Sequence, residues 1–273
     1  MKNVVVTGSF DDIRSSQIRF LEEASKRGNL HVLLWSDETA YKVDGKTPKF
    51  PQEERLYIIN SIRYVQQVRL IESYVSFEDL LAACEFTPGI WIVGQEDDTL
   101  EKRRFCASYG IIYQVIDPVN LKGFPILLIS GDDSRDTKKK VFVTGSFDWL
   151  HSGHIRFFEE TSALGKLYVV VGHDENIRFL KGNGHPMFSA DERRYMVQSI
   201  RYVKQALIST GHGWMDAEPE IATIKPDIYV VNEDGDKPEK REFCEKHDLE
   251  YVVLTRKPKE GLPLRESTVL RGF

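Results

Sequence analysis

Short apolar runs alternate with segments of helical period along the whole chain, and within the runs polar residues do not fall at every second position. Over the second half the pattern predicts strands at 140–144, 167–172, 227–231 and 250–254, and helices at 155–164, 190–200 and 238–247. Apolar runs without alternation suit strands buried on both faces of a parallel sheet. Strand and helix taking turns predicts right-handed βαβ units, hence an α/β, doubly wound domain. Ligands of such sheets sit beyond the carboxyl ends of the strands.

The pattern is written twice. VVVTGSFD from Val4 returns as VFVTGSFD from Val141, and IRFLEE from Ile18 as IRFFEE from Ile155, both 137 positions later. SIRYV from Ser61 returns at Ser199, and KRRFC from Lys102 as KREFC from Lys240, now 138 positions later, so one residue was gained near 181–185. GFP at Gly123 answers to GLP at Gly261. Collinear matches at a nearly constant offset identify a tandem duplication. Between the copies, GDDSRDTKKK is polar and charged, which marks a linker. The expected domains are 1–130 and 140–273, joined by 131–139, and 273 residues suit two domains.

Composition narrows the classes. Hydrophobic residues at 41% and charged ones at 29% describe a folded chain rather than a disordered one. A net charge of −5 argues against non-specific nucleic-acid binding, while leaving room for a local basic pocket. Three cysteines without CxxC spacing fit reduced thiols, and MKNVVVTGSFDD lacks the form of a signal peptide. Apolar runs fall short of a membrane span. The expectation is a cytoplasmic protein with no nucleic-acid partner and no stable membrane insertion.

The densest chemistry follows the first strand of the second copy, in TGSFDWLHSGH from Thr144 to His154. A glycine turn between strand and helix brings backbone N–H groups and a helix dipole to an anion. Thr144, Gly145, Ser146, Phe147 and Asp148 form that turn. His151 and His154, three apart, share one face of the entering helix, and Gly153 removes bulk between them. Such a pair could stabilise phosphate charge, ligate a metal or simply start a helix. No third ligand lies nearby in sequence.

TGSFDWLHSGH resembles the GxFDxxHxGH signature of the cytidylyltransferase-like nucleotidylyltransferases. KGNGHPMFSADERRYMVQSIRYV, from Lys181, resembles the family's second block, and RESTVLR, from Arg265, its closing block. The resemblance implies two tandem Rossmann-like doubly wound domains and attack of a phosphate monoester on the α-phosphorus of a nucleoside triphosphate, with release of pyrophosphate. It implies that His151, His154 and Lys181 are catalytic. By the same match Arg193, Asn232, Asp234, Arg256 or Arg265, Ser267 and Thr268 join the turn and Gly153 in holding nucleotide and phosphates. Lys181 would act from a Gly-flanked loop, Ser267 and Thr268 would open a short helix, and Mg2+ would bridge the phosphates with few protein ligands. Arg193 has a counterpart in Arg55 and Asp148 in Asp11, so both could instead shape the turn.

The first copy serves as an internal control. Arg14 and Gln17 replace His151 and His154, Ser16 replaces Gly153, and Val43 or Asp44 falls opposite Lys181. The frame persists while the proposed ligands are gone, which predicts an inactive copy retained as half of an intramolecular pseudo-dimer. Whether two such chains form a homodimer is left open. The tandem layout resembles the ethanolamine-phosphate type of cytidylyltransferase, which implies CTP and a small phosphorylated alcohol, ethanolamine phosphate or glycerol-3-phosphate. Two other readings stand beside it: an ATP-dependent adenylyltransferase acting on a sugar phosphate, and a nucleotide sensor without catalysis. Trp149, Phe188, Tyr195 and Trp214 could face a cationic acceptor or be core. An NAD-binding oxidoreductase is excluded, because the first turn lacks GxGxxG.

Overall fold

A computed structural model describes residues 2–73, 76–127 and 137–270, the Thr268 side chain aside. The chain divides into two compact units, Met1–Gly123 and Phe124–Phe273. The division falls ahead of the boundary at 130 suggested by composition. The reason is local: Arg194 donates to the Phe124 carbonyl at 2.9 Å, and the Phe124 ring lies 6.0 Å from that of Tyr195. Most of the expected linker lies outside the described residues.

The first unit runs β1 (Asn3–Gly8), α1 (Ser15–Ser25), β2 (Asn29–Trp35), α2 (Asp37–Asp44), α3 (Gln52–Asn60), β3 (Gln67–Ile71), α4 (Phe77–Ala82), β4 (Ile90–Gly94), α5 (Leu100–Ser108) and β5 (Ile112–Ile116). The second runs β6 (Lys140–Gly145), α6 (Ser152–Ser162), β7 (Lys166–Val171), α7 (Asp174–Lys181), α8 (Ala190–Gln198), β8 (Val203–Ile208), α9 (Glu218–Ile224), β9 (Ile228–Asn232), α10 (Pro238–Lys246), β10 (Glu250–Leu254) and α11 (Ser267–Leu270). Each unit holds one five-stranded parallel sheet, in the orders β3-β2-β1-β4-β5 and β10-β9-β6-β7-β8. Both are Rossmann-like. In each the order reverses beside the first strand, which opens a crevice at the carboxyl ends of β1 and β4, or of β6 and β9.

The missing alternation has the expected cause. Val141, Phe142 and Val143 are fully buried, and every residue of β7 is buried. Phe142, Val170 and Tyr229 pack towards Ile221 and Ile224 of α9. Each such side chain contributes about 1.5–3 kcal/mol through burial. On α6, Ile155, Phe158 and Thr161 are wholly buried at helical spacing. Arg156, between them, pairs with Glu159 and Glu160 on the outer side.

Helix α6 begins at Ser152, a turn before the expected start, because the His151 ring caps it by accepting the Gly153 N–H at 3.1 Å. At its far end a Cβ on Gly165 would stand 2.2 Å from the Lys139 carbonyl oxygen, so only glycine fits that turn. The strand–helix reading of the sequence did not assign α7, β8 or α9. Strand β8, VKQALI, is an edge strand that leaves Gln205 exposed, so it lacks the unbroken apolar run of its neighbours. Among the described residues, no helix is long and apolar enough to cross a membrane.

Candidate active site

The turn after β6 is built around two rings. Phe147 sits at φ 47°, an unusual conformation for a residue with a side chain, and its ring folds back over Gly145, where a Cβ would meet it at 2.8 Å. That ring stands edge-on to His154 at 5.3 Å and packs against Phe158 at 5.0 Å. His154 in turn stacks on His151, centroids 3.9 Å apart and planes 22° apart. A Cβ on Gly153 would come within 3.0 Å of His151 Cε1, so the glycine makes room for the pair.

The two imidazoles are electrically unusual. Burial holds the His151 ring at a pKa of about 3, helped by the positive charges of Arg256 and Arg265. Burial also puts His154 well below the usual range, with His151, Arg256 and Lys181 adding to the effect and a Trp149 backbone contact opposing it. Both rings are therefore neutral near pH 7. Since His151 Nδ1 accepts from Gly153, the proton of His151 belongs on Nε2. That Nε2 and Nδ1 of His154 are buried with no hydrogen-bond partner. Orphaned polar atoms in a buried site are ready for a ligand group.

Beside His154 lies a cavity of about 360 Å³, bounded by Thr144, Ser146, His154 and Lys181 on one side and by Val231, Asn232 and Asp234 on the other. Lys181 donates to Ser146 Oγ at 2.8 Å, spanning from α7 to the turn. The expected loop position of Lys181 is corrected: it is the last residue of α7, and Gly182 at φ 84° closes the helix behind it. Arg256 donates through Nη1 to Asp234 at 3.3 Å and through Nη2 to the Arg265 carbonyl at 2.6 Å. Ser267 Oγ donates to the Trp149 carbonyl at 3.4 Å, and α11 starts there. The Thr268 side chain lies outside the described residues.

Two expected phosphate ligands are employed elsewhere. Arg193 is 1% exposed, and its guanidinium donates to the carbonyls of Phe188, Ser146 and Gly172 and to Asp174 Oδ1, all within 2.7–2.9 Å. Arg55 repeats this in the first unit on Phe50, Ser9, Trp35 and Asp37. Asp148 accepts the N–H groups of Met187 and Phe188, as Asp11 accepts those of Lys49 and Phe50. With four of its five donors engaged, Arg193 is a clamp between loop, turn and strand end. Asp148 pins the same loop. Tyr195 is likewise core, fully buried in α8.

Other cavity residues were not singled out as ligands from sequence. Asp216, 8% exposed, accepts from Ser209 Oγ at 2.6 Å. Lys240 is buried over the Tyr229 ring and donates to the Gly235 carbonyl; burial lowers its pKa. Lys237 lies 5.1 Å from the Trp214 ring centre. Asn176 and Gly213 hold each other at this wall by two hydrogen bonds.

The family model described as cytidylyltransferase-like matches residues 5–126 and 142–262, nearly all of both units. The chain belongs to the cytidylyltransferase-like family. It is thereby a member of the nucleotidylyltransferase superfamily and a transferase. The FAD synthase of Aciduliprofundum boonei is 36% identical over 121 residues, covering 43% of this chain and 78% of that relative. The bifunctional protein HldE of Pseudomonas savastanoi pv. phaseolicola is 35% identical over 116 residues, covering 41% of this chain and 23% of HldE. This family member thus spans less than a quarter of HldE's length. A solved lipopolysaccharide core biosynthesis protein from Thermoplasma volcanium aligns at 27% identity over 44% of this chain and 98% of its own, with a TM-score of 0.38.

Proposed function

We propose that the second unit transfers a nucleotidyl group from a nucleoside triphosphate to a phosphate monoester and releases pyrophosphate. The observation that carries this reading is the stacked His151–His154 pair, neutral, buried and with one unpartnered nitrogen on each ring. An oxygen of the acceptor phosphate attacks the α-phosphorus, the bond to the bridging oxygen of the β-phosphate breaks, and pyrophosphate leaves. Little covalent work falls to the protein, which positions the groups and cancels charge. His151 Nε2–H and the His154 ring meet the developing charge, Lys181 swings from Ser146 to the phosphates, and Arg256 and Arg265 hold the leaving end. The arriving polyanion raises the depressed imidazole pKa values, so the His154 ring can take up a proton as charge accumulates, while His151 keeps its Nδ1 on the Gly153 N–H and donates from Nε2.

Among the described residues no three His, Cys, Asp or Glu side chains group as a metal cage. The donors present suit a magnesium ion held mainly by phosphate oxygens and water, with Asp216 or Asp234 as the protein's carboxylate. Such an ion would neutralise phosphate charge.

The nucleotide we favour is ATP. FAD is FMN joined to an adenylyl group, and relatives named FAD synthase cover two fifths or more of this chain. CTP with ethanolamine phosphate or glycerol-3-phosphate is the second reading, supported by the tandem layout and by the family's description. Pyrophosphate release is to be measured with ATP and CTP against FMN, sugar phosphates, ethanolamine phosphate and glycerol-3-phosphate. Turnover with ATP and one acceptor supports the first reading, and turnover with CTP alone replaces it by the second. Nucleotide binding without turnover for any pair overturns the catalytic proposal in favour of a sensor.

A further inference from the structure

The first unit keeps a cavity where the second has its candidate active site. It measures about 420 Å³ and is bounded by the same turn, here Thr7 to Phe10, and by the end of β4. Its chemistry is inverted. The second unit's cavity is lined by three lysines, Lys181, Lys237 and Lys240, against Asp216 and Asp234. The first unit's is lined by Lys102 alone against Asp44, Glu96 and Asp97.

The inversion has identifiable steps. Helices α2 and α7 are matched end to end, which sets Asp44 where Lys181 stands. In the second unit Arg256 attends the turn after β9 by donating its N–H to Glu233 and its guanidinium to Asp234. Strand matching puts Pro118 at that position, Gln95 opposite Glu233 and Glu96 opposite Asp234, so Glu96 receives no such arginine, and Asp97 stands where the second unit has Gly235. Glu96 Oε1 and Asp97 Oδ2 both come within 3.9 Å of where a Cβ on Gly94 would stand, gathered over the end of β4. Neither carboxylate, nor that of Asp44, has an ion-pair partner among the described residues. The single lysine is spent, Lys102 Nζ donating to the Asp97 carbonyl at 2.7 Å. Arg14 pairs with Asp12, and Gln17 accepts the Arg14 N–H, so the residues that replace the histidines cap α1.

A triphosphate would be repelled from this cavity. Three aromatic residues also line it, the largely buried Phe10 and Trp35 and the half-buried Phe20, with Trp35 standing where the second unit has Gly172. Aromatic residues and unpaired carboxylates around one space suit an organic cation. A divalent metal fits less well, because no three of the described acidic or metal-ligating side chains group closely enough to hold one.

We infer that the first unit is a binding site for a small organic ammonium ion with an apolar body, at the position its sister unit gives to nucleotide. The inference goes beyond the proposed reaction and does not depend on it. Calorimetric titration of the full chain with choline and with benzyltrimethylammonium tests it, with 3,3-dimethylbutan-1-ol as the uncharged isostere of choline. At least one cation is expected to saturate with a dissociation constant of about 1 mM or tighter. The isostere is expected to bind at least about tenfold more weakly, and the exposed double variant Glu96→Gln/Asp97→Asn to lose about tenfold in cation affinity. Lys181→Ala should leave cation affinity unchanged, which separates this site from the one in the second unit. Failure of both cations to saturate overturns the inference. Equal binding of the isostere, or loss of binding in Lys181→Ala but not in the double variant, overturns it as well. Because the readout is binding, it stands or falls apart from turnover.

Discussion

Replacing Gly153 by alanine should separate catalysis from stability. Gly153 is the second residue of α6, where alanine is the better helix former by up to about 1 kcal/mol. Against that, the new Cβ would lie 3.0 Å from His151 Cε1 and 3.1 Å from Nδ1, tighter than normal packing allows. Overpacking of this kind costs about 1–3 kcal/mol where neighbours cannot yield. The two effects leave a net change within about 2 kcal/mol, a few degrees in melting temperature for a unit of this size. The ring, however, must move by several tenths of an ångström, and its stack with His154 moves too. Since a misplacement of about 1 Å can cost about 10²-fold in rate, kcat should fall about 10- to 100-fold. Thermal melting and pyrophosphate release on the same preparation check this. Full activity in a stably folded Gly153→Ala protein would refute the argument that the glycine exists to seat His151.

Arg193→Ala should destabilise by more than about 3 kcal/mol, because three carbonyls and a carboxylate lose their partner; Arg55→Ala should cost a similar amount, whereas a phosphate-binding role would predict an activity loss at normal stability for Arg193 alone. Lys181→Ala, at an exposed position, should leave stability within about 0.5 kcal/mol and lower kcat/KM about 100-fold, as read from melting and initial rates. For pH, the unfolded His151 takes up a proton below about pH 6.5 while the folded ring refuses it until about pH 3. Stability should therefore fall by about 1.4 kcal/mol per pH unit across that window, and urea titrations of His151→Gln should show a shallower slope.

Much of the frame was legible because duplication exposes what is shared. TGSFD, SIRYV and KRxFC recur in both copies, and each belongs to the scaffold: a turn, a helix end and a helix that packs Cys106 or Cys244 into the core. The histidine pair was legible because it breaks the repeat at Arg14 and Gln17. Arg193 misled because its type suits phosphate while its burial is a tertiary property; its persistence as Arg55 was the signal of its real task. Lys240 and Asp216 escaped because they come from separate segments that only the parallel sheet brings to one cavity. Strand β8 escaped because Lys204 and Gln205 interrupt its apolar run, whereas β10, at the other edge of the sheet, keeps the run YVVL. The end of α7 was misjudged because Gly182 and Gly184 suggest a loop, whereas Gly182 serves as the stop of a helix that carries Lys181 to the site.

The most direct test of the account is the single-turnover rate of pyrophosphate release from saturating nucleotide and acceptor in three proteins: the native chain, His154→Ala, and Gln17→Ala at the matching position of the first unit. The account predicts a loss of at least about 100-fold in His154→Ala and a near-native rate in Gln17→Ala. A native rate in His154→Ala, or a loss confined to Gln17→Ala, would contradict it.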